Sequence, residues 1–258
     1  MDESELKEAG AGSVPGSEPT PGPGPEFEVE PEIPREPRLR DVLFPALGFS
    51  ATEILLAANI LVAAALFLAW GSDYTSTLRS VTAGWWHDVR SGHAYGWWLP
   101  TIFMHAGPGH LGRNMLALVA AAGAVEFLSG RRAAIAAYVA TGIGAALVSY
   151  IGRASSPLSV GASGAIFGLL GCAVAFIVRR RRHFNYAQQW KVWRVYIPLF
   201  VLFFVPAIVN ADVYAHAGGF ACGLLLGPWL PVHPRIAALA SVDPLRDDEL
   251  EGGPNPSG

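Results

Sequence analysis

Two long stretches of this chain carry almost no formal charge. Between Arg132 and Arg179 the only charged side chain is Arg153, and between Arg194 and Arg235 it is Asp212. A run of about 20 apolar residues wound as a helix crosses the ~30 Å hydrocarbon core of a bilayer. Stretches this long and this uncharged are therefore read as membrane spans. The whole chain carries 15% charged residues, against roughly 25% in an ordinary soluble domain, too few to clothe a water-facing surface of this size. The net charge of −3 excludes a nucleic-acid binder recognised by bulk basicity. Cys172 and Cys222 both lie in apolar sequence and read as small packing residues, so no disulfide scaffold is expected. The composition describes an all-α, polytopic membrane protein.

The ends are different in kind. Residues 1–34 hold nine acidic side chains against a single Lys7 and pass through Pro19-Thr20-Pro21-Gly22-Pro23-Gly24-Pro25. Nothing there reads as a secretory signal. Such sequence cannot bury enough apolar surface to offset its ordering entropy. The expected organisation is a disordered acidic tail over 1–40, a membrane domain over 41–232 and a second disordered tail over 233–258.

Within the membrane domain six apolar stretches suit helices: 52–70, 110–128, 133–150, 162–178, 195–211 and 214–230. Lys/Arg bias in short loops orients them. Arg131 and Arg132 occupy the turn at 129–132, and the loop at 179–194 carries Arg179 to Arg182, Lys191 and Arg194. The opposite side has only Arg79 and Arg90 in segment 71–109 and Arg153 in the loop at 151–161. Both termini are thus expected on the cytoplasmic side of a plasma or bacterial inner membrane. Segment 71–109 is rich in aromatics (Trp85, Trp86, Tyr95, Trp97, Trp98), which suits the headgroup level.

This topology puts four polar residues at one depth near the outer face. His110 and Asn114 open the second span, Ser163 the fourth and His216 the sixth. Strongly polar groups inside a bilayer are costly and mark functional sites by default. His110 and Asn114 are i and i+4 and share a helical face. Gly164xxxGly168 and Gly219xxxGly223xxxGly227 are small-residue ridges that let helices approach until backbones nearly touch. Packing those ridges together would bring Ser163 to His216. A serine hydroxyl becomes a competent nucleophile when a base lies within hydrogen-bond reach. Acyl transfer also requires donors for the developing oxyanion, which His110, Asn114 and the N–H groups opening the fourth span could supply. Taken singly, each residue has a plainer reading: Ser163 as a small packing residue, His216 as an interfacial histidine, Asn114 as an interhelical hydrogen bond. Asp212, four residues before His216, reads as a helix N-cap rather than a third catalytic member.

Three segments together resemble the rhomboid family of intramembrane serine proteases: His105-Ala106-Gly107-Pro108-Gly109-His110-Leu111-Gly112-Arg113-Asn114-Met115, then Gly161-Ala162-Ser163-Gly164-Ala165-Ile166-Phe167-Gly168, then Ala215-His216-Ala217-Gly218-Gly219. Glu126, twelve residues after Asn114, also fits. The resemblance implies a six-transmembrane-helix bundle in which Ser163 is the nucleophile and His216 the general base of a dyad. It makes His110 and Asn114 the oxyanion donors. It assigns structural places near the site to His105, Gly161, Gly164 and Gly219, and gives Glu126 a contact on the cytoplasmic side. It implies transmembrane protein substrates, no nucleic acid, and neither metal nor organic cofactor; the oligomeric state stays open. One departure is Trp97-Trp98-Leu99-Pro100 where the family often has a Trp-Arg pair. A metalloprotease would want His-Glu-x-x-His on a helix, and the chain has no such string. A transporter would more commonly place its charged groups at the bilayer midplane. A rhomboid-like protein that binds or escorts membrane proteins without cutting them is the alternative function.

Overall fold

The computed structural model describes residues 50–92, 98–152, 160–180, 194, 212–234 and 236–237. The chain divides into two units, Met1–Ile33 and Pro34–Gly258, and every described residue falls in the second. The apolar stretch at 195–211, the loop residue Arg153 and both tails as far as residues 49 and 238 lie outside the described residues.

The described part is helical throughout: α1 (Ala51–Trp70), a 3-10 turn (Gly71–Asp73), α2 (Tyr74–Arg90), the single turn α3 (Trp98–Thr101), α4 (Pro108–Ser129), α5 (Arg131–Gly152), α6 (Ser163–Arg179), α7 (Val213–Leu226) and a closing 3-10 turn (Gly227–Trp229). Among the described residues, three helical segments are long and apolar enough to span a membrane: Ala51–Arg90, Pro108–Ser129 and Arg131–Gly152. Ser163–Arg179 is a shorter apolar helix. Large apolar side chains point outward, among them Leu61, Leu68, Ile151 and Leu225. In water such a surface would be an association liability, whereas in lipid it is the required exterior.

Helix α6 is the centre of the bundle. Eleven of its seventeen residues are buried, and it packs on α4, α5 and α7. The α6–α7 seam is made possible by glycine. A Cβ added at Gly219 would land on the Gly164 carbonyl oxygen, and one at Gly223 on the Gly168 carbonyl oxygen. Just past α7, a Cβ at Gly227 would land on the Cys172 carbonyl oxygen, and from the α6 side one at Gly171 would land on that of Phe220. The two backbones therefore touch without side chains between them, as small-residue ridges permit in membranes. The α5 face of α6 is equally tight, because a Cβ on Gly168 would overlap the Thr141 side chain.

Helix ends in an apolar interior need partners for their free N–H groups. Ser50 and Glu53 form a capping box at the start of α1: Glu53 N–H donates to Ser50 Oγ at 3.1 Å, and Ser50 N–H to Glu53 Oε2 at 2.8 Å. The two N–H groups between them go to Glu126, in the last turn of α4. Ala51 N–H donates to its Oε1 at 2.9 Å and Thr52 N–H to its Oε2 at 3.3 Å. A buried carboxylate thus closes the positive end of one helix with a side chain from another. At the start of α7, Asp212 is the N-cap, accepting from Ala215 N–H at 3.1 Å, and the Ser149 hydroxyl of α5 donates to its other oxygen. The fully buried residues of α1 are Ala51, Thr52, Leu55, Asn59 and Ala63, and its last turns pack through Leu66, Phe67 and Trp70 against the cluster of Tyr74, Leu78 and Met104. Past α7 the chain turns back, with His233 N–H donating to the Leu128 carbonyl at 2.9 Å and Ile236 joining the main apolar core.

In segment 71–109 the sequence gives an aromatic surface element, and the structure gives α2. Its buried residues Tyr74, Leu78, Thr82 and Val89 keep the spacing of one helical stripe.

The seam makes a sharp prediction. Gly223→Ala forces a methyl group against the Gly168 carbonyl and is expected to cost about 1–3 kcal/mol. Gly84→Ala, where nothing lies within 4 Å of the added Cβ, is expected to be neutral or stabilising by up to about 1 kcal/mol. Thermal unfolding in detergent checks the pair; equal midpoints for Gly223→Ala and wild type would contradict the seam.

Candidate active site

Ser163 is the first residue of α6, and His216 lies in the first turn of α7. The α6–α7 seam brings these two helix starts together, so that His216 Nε2 is 2.9 Å from Ser163 Oγ. The imidazole is buried and stacks on Phe167, with ring centroids 4.5 Å apart at 23°. Phe167 is one helical turn after Ser163, so a single face of α6 carries both the hydroxyl and the plate that holds its partner ring. The His216 backbone N–H donates to the Asp212 carbonyl at 3.1 Å, which ties the ring's own residue to the helix cap.

The start of α4 supplies the opposite wall. Ala106 N–H donates to His110 Nδ1 at 3.2 Å. An amide N–H can only donate, so Nδ1 is the acceptor and the proton of the neutral ring sits on Nε2. That Nε2–H edge faces Gly161, where a Cβ would stand 2.7 Å from His110 Cε1 and 3.1 Å from Nε2. Asn114 Nδ2 lies 3.5 Å from the same point. The Asn114 amide is buried, and Nδ2 has no hydrogen-bond partner among the described residues. Two donors from one face of α4 thus converge on the backbone just ahead of Ser163. Gly161 itself has φ +124°, a conformation that residues with a Cβ rarely adopt. The first N–H groups of α6 have no acceptor within their own helix and bring the positive end of the helix dipole. Ser163 and His110 are half-buried, and Ala106, Pro108 and Gly109 at the rim are exposed.

The remaining residues singled out in the sequence are also in place. His105 is 1% exposed; its Nδ1–H donates to the Phe103 carbonyl at 3.1 Å, and its ring meets His110 edge-on at 5.4 Å. Gly164 and Gly219 form the top of the seam. Glu126 lies at the far end of α4, away from Ser163, at the α1 cap described above. Residues that sequence reasoning passed over include Phe167, whose i+4 spacing from Ser163 was the available signal. Tyr74 is another, its hydroxyl donating to the His105 carbonyl, and no local pattern marks it.

Such an arrangement has the parts for acyl transfer: a hydroxyl within reach of an imidazole, beside donors for an oxyanion. The described residues define a helical, multi-pass membrane protein with a serine–histidine pair at one end of its α6–α7 glycine seam. A family model described as "Rhomboid domain" matches residues 92–231. Rhomboid protease GluP of Bacillus subtilis (strain 168) is 33% identical over 175 residues, covering 67% of this chain and 33% of that protein. RHOMBOID-like protein 2 of Arabidopsis thaliana is 34% identical over 179 residues, 65% of this chain and 52% of its own. Putative rhomboid protease YdcA of Bacillus subtilis (strain 168) is 28% identical over 150 residues, 55% of this chain and 73% of its own. The chain belongs to the rhomboid family. It spans a third of the length of the first of these relatives and about half of the second.

The geometry predicts selective chemistry at one hydroxyl. A fluorophosphonate probe should label the wild-type protein once, at Ser163, and Ser163→Ala should not be labelled. His216→Ala should be labelled at least about 100-fold more slowly, the low end of what a positioned base contributes. Labelling that ignores His216 would contradict the pairing.

Proposed function

We propose that this chain is an intramembrane serine endopeptidase that cleaves transmembrane protein substrates through a Ser163–His216 dyad. The observation that carries the reading is the 2.9 Å approach of His216 Nε2 to Ser163 Oγ beside the buried Asn114 Nδ2, which has no hydrogen-bond partner among the described residues. Membership of a family with relatives named proteases supports it.

In this mechanism Ser163 Oγ attacks the carbonyl carbon of a locally unwound stretch of substrate helix while its proton passes to His216 Nε2. The tetrahedral oxyanion is met by His110 Nε2–H, Asn114 Nδ2 and the first N–H groups of α6. Collapse breaks the C–N bond, and the imidazolium returns its proton to the leaving amine. Water entering over the exposed rim then attacks the acyl-enzyme, with His216 as base, releasing the new carboxyl terminus and restoring the serine. Helix-breaking or small residues at the cleavage point would expose the carbonyl at lower cost.

The same reading takes the membrane domain as a six-helix bundle, with 195–211 as its fifth span. The termini lie on the side of Arg131 and Arg132, and the dyad faces the other side. In a bacterial inner membrane, a fluorescent reporter fused to the C-terminus should fold and fluoresce, while alkaline phosphatase fused there should be inactive. The opposite pair of results would invert the topology.

The deciding experiment incubates the purified protein in detergent or liposomes with a panel of single-span substrates, alongside Ser163→Ala, His216→Ala and Asn114→Ala. Wild type should make a product that the first two variants do not, and Asn114→Ala should be slower by about 100- to 1,000-fold. Cleavage surviving Ser163→Ala would sink the mechanism. Intact clients that co-purify equally with wild type and Ser163→Ala, with no cleavage by either, would transfer the function to escort or binding.

A further inference from the structure

Behind the candidate site lies a buried polar contact that the mechanism does not use. Asn59 of α1 and Tyr138 of α5 are both fully buried. Asn59 Nδ2 donates to the Leu55 carbonyl at 2.8 Å and to Tyr138 Oη at 3.1 Å. The Asn59 amide thus fills a lone pair of the phenol oxygen and leaves its single proton for an acceptor. The Ile102 carbonyl lies 3.3 Å away and the Asn59 Oδ1 at 3.4 Å. With Nδ2 of the same amide already donating into Oη, the carbonyl is the better-placed recipient. Tyr138 also meets Phe103 ring to ring at 5.8 Å.

Ile102 sits in a tight corner between α3 and α4. Phe103 N–H donates to the Pro100 carbonyl at 3.0 Å, and the Thr101 hydroxyl to the Trp98 carbonyl at 2.8 Å. The carbonyl one residue earlier, that of Thr101, accepts the Gly161 N–H at 2.9 Å. Gly161 is the left-handed residue against which His110 and Asn114 are aimed, two positions ahead of Ser163. One short piece of backbone is therefore gripped from behind by Tyr138 and itself grips the lead-in to the nucleophile.

We propose that Tyr138, oriented by Asn59, is a positioning residue for the candidate site. Its hydroxyl fixes the Ile102 carbonyl and so the adjoining Thr101 carbonyl that receives the Gly161 amide. This rests on the proteolytic reading above. Misplacement of a reacting group by about 1 Å from a change away from the chemistry can cost about 100-fold in rate, so a loosened Gly161 should lower turnover without weakening substrate binding.

The test uses the full chain in detergent, with active sites counted by fluorophosphonate labelling and a single-span substrate titrated to give kcat per labelled site and KM. Tyr138→Phe leaves the Asn59 amide and the Ile102 carbonyl short of a partner, and should lower both the thermal midpoint and kcat. The double variant Asn59→Leu with Tyr138→Phe also removes the stranded amide, which recovers that part of the lost stability when the shape is kept. Its kcat should nevertheless stay about 10- to 100-fold below wild type with KM unchanged. A wild-type kcat per labelled site in the double variant, or a change confined to KM, would reduce Tyr138 to a packing role and overturn the proposal. Absence of Ser163-dependent cleavage by wild type would overturn the proteolytic reading itself, a result separate from either of these.

Discussion

Everything in this molecule hangs on two helices being allowed to touch at their backbones. Four glycines face the opposing main chain directly, Gly171 on α6 and, across from it, Gly219 and Gly223 on α7 with Gly227 just past its end. In lipid the hydrophobic effect does not drive helices together, so association rests on dispersion contact and on how closely the surfaces fit. The seam satisfies that requirement and sets the distance between the helix starts. A serine and a histidine carried on those starts are then within hydrogen-bond reach as a consequence of packing. Folding and candidate chemistry use the same separation.

Two helix starts near that seam are closed by carboxyl side chains. The start of α1 is closed by Glu126 with Ser50 and Glu53, and that of α7 by Asp212 with Ser149. The start of α6 is different. Its lead-in residue Gly161 is tied back to Thr101, and what surrounds its first turn is a set of further donors from α4. Under the proposed mechanism this donor-rich start is where the oxyanion would be met, whereas the starts of α1 and α7 carry carboxylates.

Much of this was legible in the sequence. Uncharged stretches named the membrane, and the glycine ridges named the seam. The i, i+4 pair His110 and Asn114 announced a shared face, and Asp212 read as a cap. Each of those signals is local, a spacing within one helix. The contacts that escaped are those whose two halves lie far apart in the chain. For Glu126 a contact was expected but not its partner, Ala51, 75 residues away, and the pairing of Asn59 with Tyr138 spans 79. Tyr138 stands in an alanine-rich apolar run where any large side chain reads as core. Helix α2 was masked for another reason: Thr75, Thr77, Val81, Thr82 and Gly84 are weak helix formers, and the stripe through Tyr74, Leu78 and Thr82 needed the buried floor beneath it to be recognised.

The uneven attachment of α1 has a mechanical meaning. Its buried residues and its capping bonds are gathered between Ala51 and Ala63, while Leu61 and Leu68 face outward. Toward Ser50 the helix is held by directional bonds, those to Glu126 and the Asn59 contact with Tyr138. Toward Trp70 it is held by rings, with Phe67 stacked on Tyr74 and Trp70 tilted against the same ring. The register of α1 is therefore set at its Ser50 end, while its Trp70 end is seated by contact that has no fixed direction.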